Sequence, residues 1–471
     1  GSNIYNRNIR ILQLNIPELE IGDVLHYLVV EEKKQVVIPD QFSDTIDFDA
    51  FFPIIFNRCT ITGPADLPLK HKVLKNKISG TVDFQKEEKA GRIAYQWTAR
   101  NVPRAVPEPE MPPFANVAQK VLVSSIADWQ QISRWCWQLC KPSMEQTTPA
   151  MQEKVRQTTA GLDSHEQKIR AIFNWVSQKI RYLGLVVEKD SPGFKPHPVK
   201  MTFEQRAGVC RDKAALLAAM LRIAGYKAYP VIMKVGPKLD PRVPINHFNH
   251  MITALQKPDG SFLLMDATNE NTSRLLPHSL TNKSYLVATP AGETLKTSPK
   301  ILARENMTLI NTRAEIKTSG QYQARTSLSF KGLDENHFRH RLMQMSRSDR
   351  KGALASLIRE KLPAAQITGC KISPENLFDV SKPLEIKIDY SVPDFCIDNK
   401  QMLIFDLPEF SRSLGYAQFL LNQVKLKERN YPFYTRHACG VREKISLDLP
   451  KNWQSSLKLP QNASQTTSGL R

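Results

Sequence analysis

The stretch from Gly208 to Gly225 limits what this chain can become more than any other. Gly208 breaks the preceding chain, Ala and Leu dominate the interior, and Gly225 stands where a left-handed C-terminal cap falls. The segment therefore reads as a helix of about four turns. Leu217, Met220, Leu221 and Ala224 recur at helical spacing and form the expected buried face. Cys210 is the reactive side chain of the stretch and lies in its first turn, where unpaired backbone N–H groups and the helix dipole favour a thiolate. A lone cysteine at a helix start is equally well explained by packing, so the rest of the chain has to decide.

At 471 residues the chain is too long for one ordinary core, and about two to four domains are expected. Hydrophobic content of 41% and charged content of 24% describe a globular protein. No run of about eighteen apolar residues exists to span a membrane. Gly1-Ser2 reads as a cloning remnant, so the lack of a leader says little about compartment.

The net charge of +19 suits nucleic acid, anionic glycans or an acidic membrane surface. Its positive residues are nonetheless spread along the whole chain. The densest runs are Arg339-His340-Arg341 through Arg347 to Lys351, and Lys425-Leu426-Lys427-Glu428-Arg429. Both lack the interleaved aromatics of a single-strand binder, so they read as solvated helix faces and nucleic acid is disfavoured. The seven cysteines, Cys59, Cys136, Cys140, Cys210, Cys370, Cys396 and Cys439, contain no CxxC pair and support neither a zinc knuckle nor a thioredoxin-like motif. Cys136 and Cys140 stand four apart in a helical pattern and read as buried thiols rather than a bridge.

Residues 1 to 115 read as β-structure. Ile9 to Ile16 alternates imperfectly, Val24 to Val30 follows a Gly22-Asp23 turn, and Ile93 to Trp97 follows Gly91, a pattern that suggests a sandwich. The Pro-rich run from Pro103 to Pro113 is an extended connector. The pattern then turns helical, with Trp129, Ile132, Cys136 and Leu139 on one stripe as core anchors. A further helix spans Ser164 to Ile180, with Ile169, Ile172, Phe173 and Val176 inward. His165 and His197 read as surface residues, the latter in a loop carrying Pro192, Pro196 and Pro198. From residue 300 the β-pattern returns at Thr308 to Ile316, Gln321 to Phe330 and Leu384 to Tyr390, interrupted by a helix near Lys351 to Leu362. The polar tail from Asn462 to Arg471 reads as mobile.

Downstream of the Cys210 helix, Tyr229 to Met233 reads as a strand, and His247 to Leu255 and Phe262 to Asp266 flank Pro258-Asp259-Gly260-Ser261. That tetrapeptide is a strong turn signal, so the two flanking strands pair antiparallel, with His250 opposite the segment from Asp266 to Thr268. Cysteine, histidine and aspartate are the parts of a thiol acyl-transfer triad. Cys210 is then the nucleophile, His250 exchanges the proton, and Asp266 orients the imidazole and stabilises its cation. The Cys210 N–H is a candidate oxyanion donor. His247 competes with His250, but three residues along a strand it points to the other face. Asp212 and Lys213 read as a carboxylate at the helix start and a lysine on an exposed or snorkelling face.

The wording around these residues resembles the transglutaminase-like superfamily. The resemblance rests on Ala171-Ile172-Phe173-Asn174-Trp175-Val176 with Ile180-Arg181-Tyr182, on Gly208-Val209-Cys210-Arg211-Asp212-Lys213-Ala214 with Leu217, Leu221 and Gly225, on Phe248-Asn249-His250, and on Met265-Asp266-Ala267-Thr268. Pro17-Glu18-Leu19 through Gly22-Asp23-Val24 and Tyr95-Gln96-Trp97 are similar to the domain that precedes this core in some bacterial members. Asn269-Glu270-Asn271-Thr272 to Pro290 is similar to the run out of it. Val209 departs from the Asp that commonly precedes the cysteine, and Ala267 from the Pro that commonly follows the aspartate.

The resemblance implies an α+β fold, with a papain-like transglutaminase core whose Cys-bearing helix packs on an antiparallel sheet, flanked by N- and C-terminal β-sandwich-like domains. The expected boundaries are 1–123 for a DUF3857-like domain, 124–299 for the cysteine core and 300–471 for a DUF3858-like domain. Residues 1–123 begin inside strand-like sequence, as if part of that domain were missing. Cys210, His250 and Asp266 take the catalytic roles, and Tyr182 is either an oxyanion-binding residue or a packed one. The implied activity is thiol-dependent hydrolysis or acyl transfer at an amide bond of a protein or peptide, cell-wall peptides included. The alternative is a catalytically silent scaffold that binds protein or glycan. No metal or organic cofactor is implied, and relatives suggest a bacterial, extracytoplasmic location.

Overall fold

Alternation of apolar and polar residues builds the first part of the chain. The structure, a computed structural model, describes residues 15–450 apart from 19, 27, 31, 33–35, 76–79, 81, 185–192, 271–273, 399–402, 412, 416–425 and 436–437. Strand β5 (Arg92–Val102) buries Ile93, Tyr95, Trp97 and Ala99 and leaves the intervening side chains outward. It lies between β2 (Ile54–Pro64) and β4 (Val82–Lys89), antiparallel to both. A second three-stranded sheet sets β6 (Lys120–Ser124) between β1 (Ser43–Asp47) and β3 (Lys70–Leu74). Val121 and Val123 of β6 share one core with Trp97 and Phe48, so the two sheets form the expected sandwich. A one-turn helix α1 (Phe114–Val117) precedes β6.

The segment Val24 to Val30 is not the strand its composition suggested. Its described residues are irregular and pair with no strand among the described residues, and Val24 remains 91% exposed. Apolar β-branched residues raise strand propensity, but a strand needs a partner to pair with. Of the strand expected at Ile9 to Ile16, only the last two residues lie among the described ones.

Five helices follow: α2 (Trp129–Met144), α3 (Pro149–Thr159), α4 (His165–Lys179), α5 (Val199–Gln205) and α6 (Cys210–Ile223). Their starts are locally encoded. Asp128 accepts from the Gln131 N–H at 2.7 Å. Ser164 and Gln167 form a reciprocal capping box. Two short strands, β7 (Arg181–Tyr182) and β8 (Ala207–Gly208), pair in parallel. A five-stranded sheet completes this part, in the order β11-β10-β9-β12-β13. Its strands are β9 (Ala228–Met233), β10 (His250–Gln256), β11 (Phe262–Met265), β12 (Ser284–Val287) and β13 (Lys296–Thr297), with antiparallel neighbours throughout.

Helix α6 is the centre of the core. Its C-terminus closes as a Schellman motif: Gly225 sits at φ +87°, the Tyr226 N–H donates to Leu221 O, and the Gly225 N–H donates to Arg222 O. Every residue from Arg211 to Leu221 is buried, whereas Ala224 is half-buried. The helix thus has no single inward stripe; α2, α3, α4, α5 and the sheet enclose it. Truncating one of its buried leucines to alanine costs about 2–5 kcal/mol.

The described chain divides into two compact units. One comprises Gly1–Glu270, Arg274–Lys300 and Leu426–Tyr434, the other Asn271–Ser273, Ile301–Lys425 and Thr435–Arg471. In the second, β14 (Met307–Ile316), β15 (Tyr322–Phe330), β16 (Gln366–Ser373), β17 (Glu385–Val392) and β20 (Gly440–Asp448) form a sheet in the order β16-β17-β15-β14-β20, with β20 parallel to β14. A short ladder joins β18 (Ile397–Asp398) to β19 (Leu403–Ile404). Helices α7 (Leu333–Met343) and α8 (Arg347–Arg359) cover one sheet face, where Leu342, Leu354 and Ile358 meet Ile310, Leu328 and Ile386. The basic run at Arg339 is not wholly a solvated face. Arg339 is 1% exposed, donates to the Glu335 carboxylate at 2.8 Å, and donates to the carbonyls of Leu377, Asp379 and Lys382. Four oxygens that need a donor outweigh the preference of one guanidinium for water.

Candidate active site

Cys210 is the first helical residue of α6, after Val209 in an extended N-cap conformation. Val209 offers no side-chain acceptor, and Asp212 supplies the cap from the other direction: its Oδ2 accepts the Val209 N–H at 3.0 Å. Asp212 Oδ1 accepts the His197 backbone N–H at 2.9 Å and lies 3.2 Å from His197 Nδ1. His197 is therefore largely buried and tied to the cysteine helix rather than lying on the surface. Gly208 leaves room for this arrangement, since a Cβ there would stand 2.8 Å from Asp212 Cβ.

Strand β10 brings in the histidine. The hairpin register pairs Thr253 with Met265 and Gln256 with Phe262, and extended outward it sets His250 level with Thr268. Thr253 Oγ1 donates to Ala214 O at 2.9 Å and pins β10 against α6. His250 Nε2 lies 3.0 Å from Asp266 Oδ2. The other carboxylate oxygen accepts from the Thr268 N–H at 2.9 Å and the Thr268 hydroxyl at 2.8 Å. With Nε2 held by Asp266, Nδ1 is the ring nitrogen left to interact with the Cys210 thiol, and His250 is one of the groups that lower that thiol. His247 precedes the strand instead of lying in it and faces Thr45 Oγ1 at 3.4 Å, away from this chain of side chains.

The charges fit the geometry. Burial pushes the Cys210 thiol up, but the His250 hydrogen bond and charge, with the N–H groups of Met251 and Arg211, outweigh it and leave the thiol below its ordinary value. Burial likewise lowers His250, yet hydrogen bonds to Asp266 and Cys210 and their negative charges raise it to about 10. The pair favours thiolate beside imidazolium.

Tyr182 stands on β7 directly opposite Gly208 of β8 and is 41% exposed. Burial and the charges of Cys210 and Asp266 push its phenol up, so it keeps its proton. Lys213 is 1% exposed and neither solvated nor snorkelling. Its ammonium donates to Ser177 O at 3.1 Å and to Ile180 O, the end of α4 that leads straight into β7. Desolvation lowers Lys213 to about 8, against the charges of Glu270 and Asp266. Ala214 to Leu221 is apolar on every face, which marks the body of α6 as a buried helix, but no local pattern marks its charged first turn for burial. Among the described residues no group of three or more His, Cys, Asp or Glu is arranged to hold a metal ion.

Residues 152–267 match the transglutaminase-like superfamily, and residues 2–106 match DUF3857, a domain of unknown function with solved structure. No curated protein matches the chain. Among solved structures, a proposed protease from Parabacteroides distasonis is similar at 10% identity and a TM-score of 0.43, over 75% of this chain and 69% of its own. A proposed cysteine protease from Cytophaga hutchinsonii is 16% identical at a TM-score of 0.23, over 50% of this chain and 80% of its own. The periplasmic domain of TgpA from Pseudomonas aeruginosa is 14% identical at a TM-score of 0.20, over 47% and 74%.

Proposed function

From the premise that this is a transglutaminase-like superfamily protein, we propose that it hydrolyses or transfers acyl groups at amide bonds through Cys210, His250 and Asp266. The observation that supports this reading is the imidazole of His250 held by a carboxylate that Thr268 anchors, beside a thiol at the start of α6 that His250 lowers. The thiolate adds to the amide carbonyl carbon, and the carbonyl π electrons move onto oxygen. The Cys210 N–H faces that oxyanion, and the protonated Tyr182 phenol donates to it from the neighbouring strand. As the tetrahedral adduct collapses, the C–N bond breaks and His250 gives its proton to the departing amine. Water, or a second amine, then attacks the thioester while His250 takes its proton, which frees Cys210. Asp266 holds the ring orientation through both steps.

Water is always at hand, so hydrolysis of a peptide or isopeptide-like bond is the leading version. Cell-wall peptides are the substrates to screen first, and the extracytoplasmic location implied by the resemblance belongs to the same proposal. The first test is iodoacetamide labelling near pH 6, read residue by residue by mass spectrometry. Cys210 is expected to label at least about tenfold faster than an ordinary thiol. Labelling at the ordinary rate would mean a silent scaffold. The second test is peptide cleavage that disappears in Cys210→Ala.

A further inference from the structure

The face of the second unit's sheet that α7 and α8 leave open carries a charge pattern that the chemistry at Cys210 does not use. Four successive strands, β17, β15, β14 and β20, present Lys387, Arg325, Arg313 and Lys444 on it. These four line a groove of about 560 Å³ with the polar side chains of Asn311, Ser327 and Ser446. At about 4.8 Å between strands, the basic row is about 14 Å long.

Its registers are unfavourable for an empty surface. Arg313 lies directly opposite Arg325, and Lys387 directly opposite Lys371 on β16. Like charges in facing positions destabilise a sheet. Asp389 neutralises Arg325, with contacts of 2.5 and 3.2 Å. Among the described residues, Arg313, Lys387 and Lys444 have no ion-pair partner. The remaining acids of this face stand toward its ends, Glu315 beside Asp448 at one and Glu385 at the other. They bound the basic row without cancelling it.

We propose that this groove binds an acidic glycan. Its carboxylates would meet Arg313, Lys387 and Lys444, and its hydroxyls would meet Asn311, Ser327 and Ser446. Uncompensated cations call for an anion, and the interleaved hydroxyl and amide groups suit a sugar. The lining has no aromatic ring on which a nucleobase could stack. This inference is independent of the reaction at Cys210.

The test is calorimetric titration of the full chain with polygalacturonate oligomers at low ionic strength, with neutral dextran and a single-stranded oligonucleotide as comparisons. Polygalacturonate is expected to bind and dextran not to. R313S/K444S is expected to weaken binding at least about tenfold, from the loss of two charge-assisted contacts. K387S/K444S gives the same reading if the first variant folds poorly, and Cys210→Ala binds as well as wild type. The variant K179S/K257S removes two exposed charges from the other unit. An equal loss there would show that net charge alone does the binding and would overturn the proposal. So would undiminished binding by R313S/K444S, or tighter binding of the oligonucleotide through the same residues.

Discussion

His250 turns Nε2 toward Asp266 Oδ2, 3.0 Å away, which leaves Nδ1 as the ring nitrogen open to the Cys210 thiol. The aspartate fixes which nitrogen carries the first proton. In Asp266→Asn the amide donates to Nε2 and forces that proton onto Nδ1, where it blocks transfer from the thiol. A loss of about 10⁴ in kcat is expected, with a smaller change in KM. The labelling profile of Cys210 moves toward that of an ordinary thiol. Iodoacetamide rates measured across pH, together with kcat, check both.

Two buried groups give opposite pH signatures. His250 is raised to about 10, so its contribution to stability is complete below the unfolded histidine value and is lost as pH rises through about 10. Lys213 is lowered to about 8, so between about 8 and 10.5 the unfolded chain binds the extra proton and stability rises with pH. Its burial costs about 3 kcal/mol at neutral pH. Lys213→Met removes that slope while leaving the Ser177 and Ile180 carbonyls without their donor. From pH 7 to pH 10, the variant is expected to lose about 2 kcal/mol relative to wild type, whichever is more stable at neutrality. Urea midpoints at both pH values decide it, and parallel changes in the two proteins would refute the assignment.

Gly208 has no space for a methyl group. Its Cβ would stand 2.8 Å from Asp212 Cβ and 3.2 Å from Thr202 Cγ2. Gly208→Ala should cost about 1–3 kcal/mol and push the Asp212 cap away from Val209. Cys210 then loses its labelling advantage along with stability. Thermal melts and labelling rates measured on the same sample separate this from simple destabilisation.

Arg339→Met removes the cation that four oxygens share and leaves the Glu335 carboxylate without its charge partner. A loss of about 3–5 kcal/mol is expected from urea unfolding. The double variant E335Q/R339M should recover part of it, because the stranded charge is gone.

The reach of the sequence follows the range of the forces involved. Gly225 ends α6 through a left-handed backbone at that residue, and Pro258 to Ser261 sets the hairpin register through four neighbouring residues. Both are local and were legible. The burial of Lys213 and Arg339 was not, because carbonyls from distant segments make those charges affordable. Local reading treats a charge as solvated until its acceptors are known. The parallel pairing of β14 with β20 joins residues more than a hundred positions apart, and no short-range pattern records it. At Val24 the error ran the other way: propensity was present, and a partner strand among the described residues was not.

Helix α6 has no solvent-facing side through most of its length. The proposed nucleophile therefore moves only as the core moves, unlike a residue borne on a loop that can fray alone. Heat or denaturant should not produce a folded chain with a misassembled site. Loss of thiol reactivity and global melting should trace one curve, which makes Cys210 labelling a reporter of the folded population.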